Sequence, residues 1–142
     1  MLFATFTAGT PQTSKILLVD DERDITTVFK AGLERTGAFS VDVFDDPNEA
    51  AATFKPNHYH AIVLDIRMPG MSGFQLARAL WEKDQSARIC FLSAFEIYQQ
   101  EAEKVFRDFG QHCFITKPIS VSALAQHLEE HLLKNEGSSR KR

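Results

Sequence analysis

Three carboxylates, a serine and a lysine, far apart in sequence, each stand at the end of an apolar run. Asp20 and Asp21 close Ile16–Val19, Asp65 closes Ala61–Leu64, Ser93 closes Ile89–Leu92, and Lys117-Pro118 follows Cys113–Ile115. Charges at the ends of buried strands are costly unless they meet one another or a metal and an anion. Clustered carboxylates repel, and a divalent cation or a proton relieves that repulsion. An all-oxygen site open to water and phosphate suits magnesium better than zinc. With the metal in place, one carboxylate can attack a phosphoryl group and form an acyl phosphate. Asp65 is the candidate nucleophile. Lys117 would supply an ammonium and Ser93 a hydroxyl to the phosphoryl oxygens. Taken singly, Ser93 is a turn residue and Lys117 a surface lysine; only their common placement argues otherwise.

That placement needs a scaffold that brings distant strand ends together. Strand candidates are Ile16–Val19, Phe39–Phe44, Ala61–Leu64, Ile89–Leu92 and Cys113–Ile115. Between and after them run segments of helical period. Ile25, Val28, Phe29, Gly32 and Leu33 share one face, as do Phe74, Ala77, Leu80 and Trp81. Asp46 before Pro47 reads as an N-cap with proline at the first helical position, and Ser72 can cap the third helix. Tyr98, Ala102, Val105, Phe106 and Phe109 mark a fourth helix. Val121, Leu124, Ala125, Leu128 and Leu132 mark a fifth. Strand–helix alternation repeated five times predicts an α/β three-layer sandwich, a parallel sheet with helices on both faces. Phe39–Phe44 alternates in polarity, which suits an edge, so the expected strand order is 2-1-3-4-5. In that order winding reverses between strands one and three, and ligands bind outside the carboxyl ends at such a point. Asp20, Asp21 and Asp65 stand there.

The chain has 142 residues, enough for one domain, with a net charge of −3 that favours neither nucleic acid nor an anionic membrane. No apolar stretch is long enough to span a bilayer. The expected organisation is an N-terminal extension over 1–13, one domain over 14–134 and a polar tail over 135–142. Cys90 and Cys113 fall in strand-like runs and are expected to be reduced core thiols of a cytoplasmic protein, not a disulfide or a metal pair. His127 and His131, at i and i+4, are expected to lie on a polar helix face.

With these residues assembled, the chain resembles the receiver domain of two-component response regulators. The pattern stands as Ile16-Leu17-Leu18-Val19-Asp20-Asp21, Val63-Leu64-Asp65-Ile66-Arg67-Met68-Pro69-Gly70, Leu92-Ser93-Ala94 and Phe114-Ile115-Thr116-Lys117-Pro118. It is similar to the stand-alone, CheY-like type. The resemblance implies a flavodoxin-like (βα)5 fold with Asp65 as phosphoacceptor. It implies Mg2+ held by Asp20, Asp21, Asp65 and the backbone carbonyl of Arg67, with Ser93 and Lys117 on the phosphoryl group. It implies a switch through Ser93 and Phe114, and a cis bond at Lys117-Pro118. The donor would be a phosphohistidine on a sensor histidine kinase or a histidine phosphotransfer protein, docking near Glu22–Arg35. The readout face would be the fourth helix, fifth strand and fifth helix, recognised by a downstream protein. Phe95 occupies a position flanking the acyl phosphate, and its bulk would hinder attack by water. The alternatives are a degenerate receiver used only as a protein-binding module, an aspartyl-nucleophile phosphohydrolase and a flavodoxin-like cofactor domain. Arg67 stands where the hydrolase would need a second aspartate. Glu22 and two aspartates would repel the phosphate of the cofactor domain.

Overall fold

The computed structural model describes residues 13–93, 104 and 112–133. Five parallel strands form one sheet: β1 (Ser14–Val19), β2 (Phe39–Phe44), β3 (Ala61–Asp65), β4 (Ile89–Ser93) and β5 (His112–Thr116). Their order is β2-β1-β3-β4-β5, with β2 on the edge as its alternating sequence predicts. The described helices are α1 (Arg23–Arg35), α2 (Pro47–Thr53), α3 (Gly73–Lys83) and a C-terminal helix (Val121–His127). The last was expected to run on to Leu132 as one helix, but from Leu128 to Leu133 the chain is π-helical. Of the expected helix around Tyr98–Phe109 only Lys104 is described, and it is helical; Phe95 and the segments 1–12 and 134–142 lie outside the described residues.

The side-chain period of two divides the core into two layers. Leu17, Val19, Ile62, Leu64, Ile89 and Phe91 pack toward α2 and α3. Ile16, Leu18, Ala61, Val63, Cys90, Leu92 and Ile115 pack toward α1 and the C-terminal helix. Strands β3 and β4 are buried along their whole length, so they read as unbroken apolar runs.

Local chemistry sets the helix starts next to the site. Asp46 accepts the N–H of Asn48 at 2.9 Å, with Pro47 at the first helical position. Ser72 accepts the Gln75 N–H at 3.1 Å while Gln75 accepts the Ser72 N–H at 2.9 Å, a reciprocal cap. Gly73 follows because nothing larger fits. A Cβ there would run into the Asp65 carbonyl oxygen and come within 2.9 Å of the Ile66 Cα. Its N–H donates to the Ile66 carbonyl at 2.7 Å. The start of α3 is thereby fixed against the end of β3.

Cys90 and Cys113 correct the expectation of two separate thiols. They are paired across β4 and β5, and their sulfurs are joined in a disulfide. The sequence shows each in an apolar run, but only the register of the two strands brings them opposite.

Candidate functional site

Alternation decides which strand-end residues can meet. Asp20, Asp65 and Lys117 each come two residues after a member of the α1-side layer: Leu18, Val63 and Ile115. They therefore share that side of the sheet at its carboxyl edge. Asp20 is fully buried and Asp65 nearly so, while Asp21 is exposed. Carboxylate oxygens of Asp20, Asp21 and Asp65 all lie within 4.8 Å of one another.

Lys117 reaches into this cluster from the loop after β5. Its Nζ donates to Asp20 Oδ2 at 2.8 Å and lies 3.3 Å from Asp65 Oδ1. Glu22, expected to repel a phosphate and to begin the docking surface, places Oε1 3.6 Å from the same Nζ. Its place right after Asp20-Asp21 was the available signal. Asp20 Oδ1 meanwhile accepts the Glu22 N–H at 3.0 Å. The Lys117-Pro118 peptide is cis. The Lys117 N–H donates to the Ser93 carbonyl at 2.7 Å, which ties the loop after β5 to the end of β4.

The electrostatics follow from this geometry. Burial pushes the Asp65 carboxyl up from its ordinary 3.8 to about 6; the Asp20 charge adds to the rise, Lys117 opposes it, and Asp21 adds a little more. For Lys117, burial alone would lower the ammonium. The hydrogen bond and charge of Asp20, then those of Asp65, outweigh it and hold the ammonium above its ordinary value. The site is thus short of positive charge: the carboxylates of Asp20, Asp21, Asp65 and Glu22, four in all, face one lysine. Hard oxygen donors short of a cation fit magnesium, and Asp20, Asp21 and Asp65 are the side chains that would hold it.

Ser93, predicted beside this group, is buried at the end of β4, but alternation puts it on the other layer with Phe91. Phe114 is half-buried in that same layer. Its ring stacks on Phe91 at 5.2 Å and meets Phe74 edge-on at 6.5 Å. Arg67, the predicted carbonyl ligand, is exposed two residues beyond Asp65. His127 is half-buried rather than on an open polar face, beside Cys90 and Cys113. Next to the site, Asp24, Ile25, Val28, Phe29, Pro118 and Ile119 line a groove of about 350 Å³ with Lys117 on its wall. Val28 is the large apolar side chain most open to solvent there, 58% exposed.

The sequence model described as the response regulator receiver domain matches residues 16–129. Among curated relatives, the transcriptional regulatory protein YvrH of Bacillus subtilis is 35% identical over 122 residues, which are 85% of this chain and 50% of YvrH. The transcriptional regulatory protein QseB of Escherichia coli O157:H7 is 29% identical, over 88% of this chain and 56% of QseB. The chain thus spans about half the length of these relatives. A receiver domain protein (CheY-like) from Methanospirillum hungatei superposes with a TM-score of 0.78 at 21% identity, covering 89% of this chain and 99% of that one. The response regulator TrrA of Thermotoga maritima, solved in complex with Mg(2+)-BeF, superposes at 0.70 with 27% identity, covering 84% of this chain and all of that one.

Proposed function

Because this chain belongs to the response regulator receiver domain family, we propose that it takes a phosphoryl group onto Asp65 from a phosphohistidine. The donor is a histidine kinase or a histidine phosphotransfer protein. The observation that carries the reading is the buried Asp65 carboxyl, set against Asp20 and within 3.3 Å of the Lys117 ammonium. At neutral pH a carboxyl with a pKa of about 6 is mostly ionised, and so nucleophilic.

One Asp65 oxygen attacks phosphorus. The P–N bond breaks, its electron pair stays on the donor imidazole, and that nitrogen takes up a proton from water. Lys117 stands where its ammonium offsets the charge arriving on the phosphoryl oxygens, and it lets go of Asp65 as the carboxylate becomes an acyl phosphate. Magnesium held by Asp20, Asp21, Asp65 and the Arg67 carbonyl would supply the positive charge that neutralises both the cluster and the incoming group. Ser93 donates a hydroxyl hydrogen bond to a phosphoryl oxygen from the opposite layer. The groove on α1 abuts Lys117, so an apolar helix seated over Val28 would hold its phosphohistidine next to Asp65. The chain acts on no substrate besides its own Asp65, and exchange with a kinase places it in the cytoplasm. The change is read at the face formed by β5 and the C-terminal helix.

Acetyl phosphate with Mg2+ tests this. The intact mass is expected to rise by one phosphoryl group, and Asp65→Asn is expected to show no rise. A folded wild-type protein that gains no mass from acetyl phosphate or from a phosphorylated histidine kinase would leave only a phosphorylation-independent binding module.

A further inference from the structure

A second cluster of ligand-type side chains lies on the α1-side layer, away from the acidic pocket. Cys90 and Cys113 are direct partners in the β4–β5 register, with Cα atoms 4.5 Å apart. His127 ends the helix packed over those strands. One ring nitrogen of His127 and the two sulfurs all lie within 4.8 Å of one another. Two thiolates and an imidazole are a soft donor set, opposite in character to the three carboxylates around Asp65. Among the described residues there is thus one hard and one soft group of potential ligands, on separate elements.

We propose that Cys90, Cys113 and His127 form a binding site for a thiophilic cation of the zinc or copper(I) class, open when the cysteines are reduced and closed by their disulfide. Cys90 is fully buried, whereas Cys113 and His127 are half-buried, so the approach is from the side of β5 and the C-terminal helix. Opening needs two equivalents of a small-molecule thiol. The first attacks the Cys113 sulfur and displaces the Cys90 thiolate, which takes up a proton. The second attacks the mixed disulfide, releases Cys113 as a thiol and leaves as the disulfide of the two small molecules. The cation then binds two thiolates and one imidazole nitrogen, and the two thiol protons go to water. Bound there, it links β4 and β5 to the C-terminal helix through His127. The disulfide links only the two strands.

Cobalt(II) is the probe, because thiolate ligation gives a near-ultraviolet charge-transfer band that carboxylate ligation does not. The full chain, reduced and freed of reductant without air, is expected to take up one equivalent of Co2+ with that band. The oxidised chain is expected to show none, with alkylation of both cysteines only after reduction. Asp65→Asn is expected to keep the band. Cys113→Ser is expected to lose it, and His127→Ala to weaken Co2+ binding at least tenfold. Circular dichroism establishes that each variant is folded. No thiolate band in the reduced wild-type chain would overturn the proposal, as would a band of unchanged affinity in His127→Ala. The wild-type measurement alone decides if a variant fails to fold.

Discussion

Asp65→Asn is expected to make the protein more stable at neutral pH, although it removes the central residue of the site. The Asp65 carboxyl is held at about 6 in the fold against an ordinary 3.8. Between those values the folded chain keeps a proton that the unfolded chain has lost, so stability falls as pH rises through this window. Above pH 6 the loss is complete and amounts to about 3 kcal/mol. Because the residue is only 5% exposed, solvent screening removes little of it. Asparagine mimics the protonated acid in shape and charge and still offers Lys117 an oxygen. Urea unfolding at pH 7.5 is therefore expected to show the variant more stable by about 1 to 3 kcal/mol. The gain is expected to shrink toward zero as pH is lowered from 6 to 4. Mg2+ is expected to stabilise the wild type more than the variant, since it relieves the same repulsion. A variant less stable than wild type at pH 7.5, or a difference that stays flat from pH 7.5 to 4, would refute the reasoning. The first would mean that the Lys117 contact outweighs burial and Asp20, the second that it offsets them.

Lys117→Ala is expected to act in the other direction. It leaves Asp20 buried with no ammonium, at a cost of about 3 to 5 kcal/mol in urea unfolding. Mg2+ is expected to restore part of that, and an unchanged midpoint without Mg2+ would show that Asp20 is solvated by other means. Gly73→Ala is expected to destabilise by about 1 to 3 kcal/mol, because the new Cβ meets backbone atoms of Asp65 and Ile66 that cannot rotate away; unfolding midpoints check it. Phe95→Ala is expected to shorten the lifetime of the phosphorylated protein, followed by loss of the added mass with time. An unchanged half-life would sink the idea that Phe95 hinders water.

Much of the site was legible in the sequence because a parallel sheet puts every strand's carboxyl end on one edge. Polar residues closing apolar runs must then converge, which is how Asp20, Asp65, Ser93 and Lys117 could be grouped from positions up to 97 residues apart. The edge place of β2 was legible from its alternation. What was not legible depends on register. Nothing in the runs around Cys90 and Cys113 says that these two residues, rather than their neighbours, stand opposite each other. The same holds for the steric role of Gly73, which exists only because the start of α3 is seated on the end of β3.

The two layers also divide the labour proposed for the site. By strand alternation Asp20, Asp65 and Lys117 fall on the α1 side, whereas Ser93 falls on the α3 side with Phe91 and Phe114. A phosphoryl group on Asp65 that accepts a hydrogen bond from Ser93 would join the layers at the sheet edge. Ser93 is two residues from Phe91 on the same face, and the Phe91 ring is stacked on Phe114. A shift of Ser93 therefore acts on a packed aromatic pair, and closely packed side chains pass on small displacements instead of absorbing them. Phe114→Ala would leave the acidic cluster intact and remove this contact. The variant is expected to take up a phosphoryl group from acetyl phosphate at close to the wild-type rate. Its amide chemical-shift changes on phosphorylation are expected to stay near Asp65 and Ser93 and to vanish from α3, whose Phe74 ring meets Phe114. Wild-type-like changes in Gly73–Lys83 would show that the signal leaves the site by another route, with the Lys117–Pro118–Ile119 loop on the α1 side the next to test.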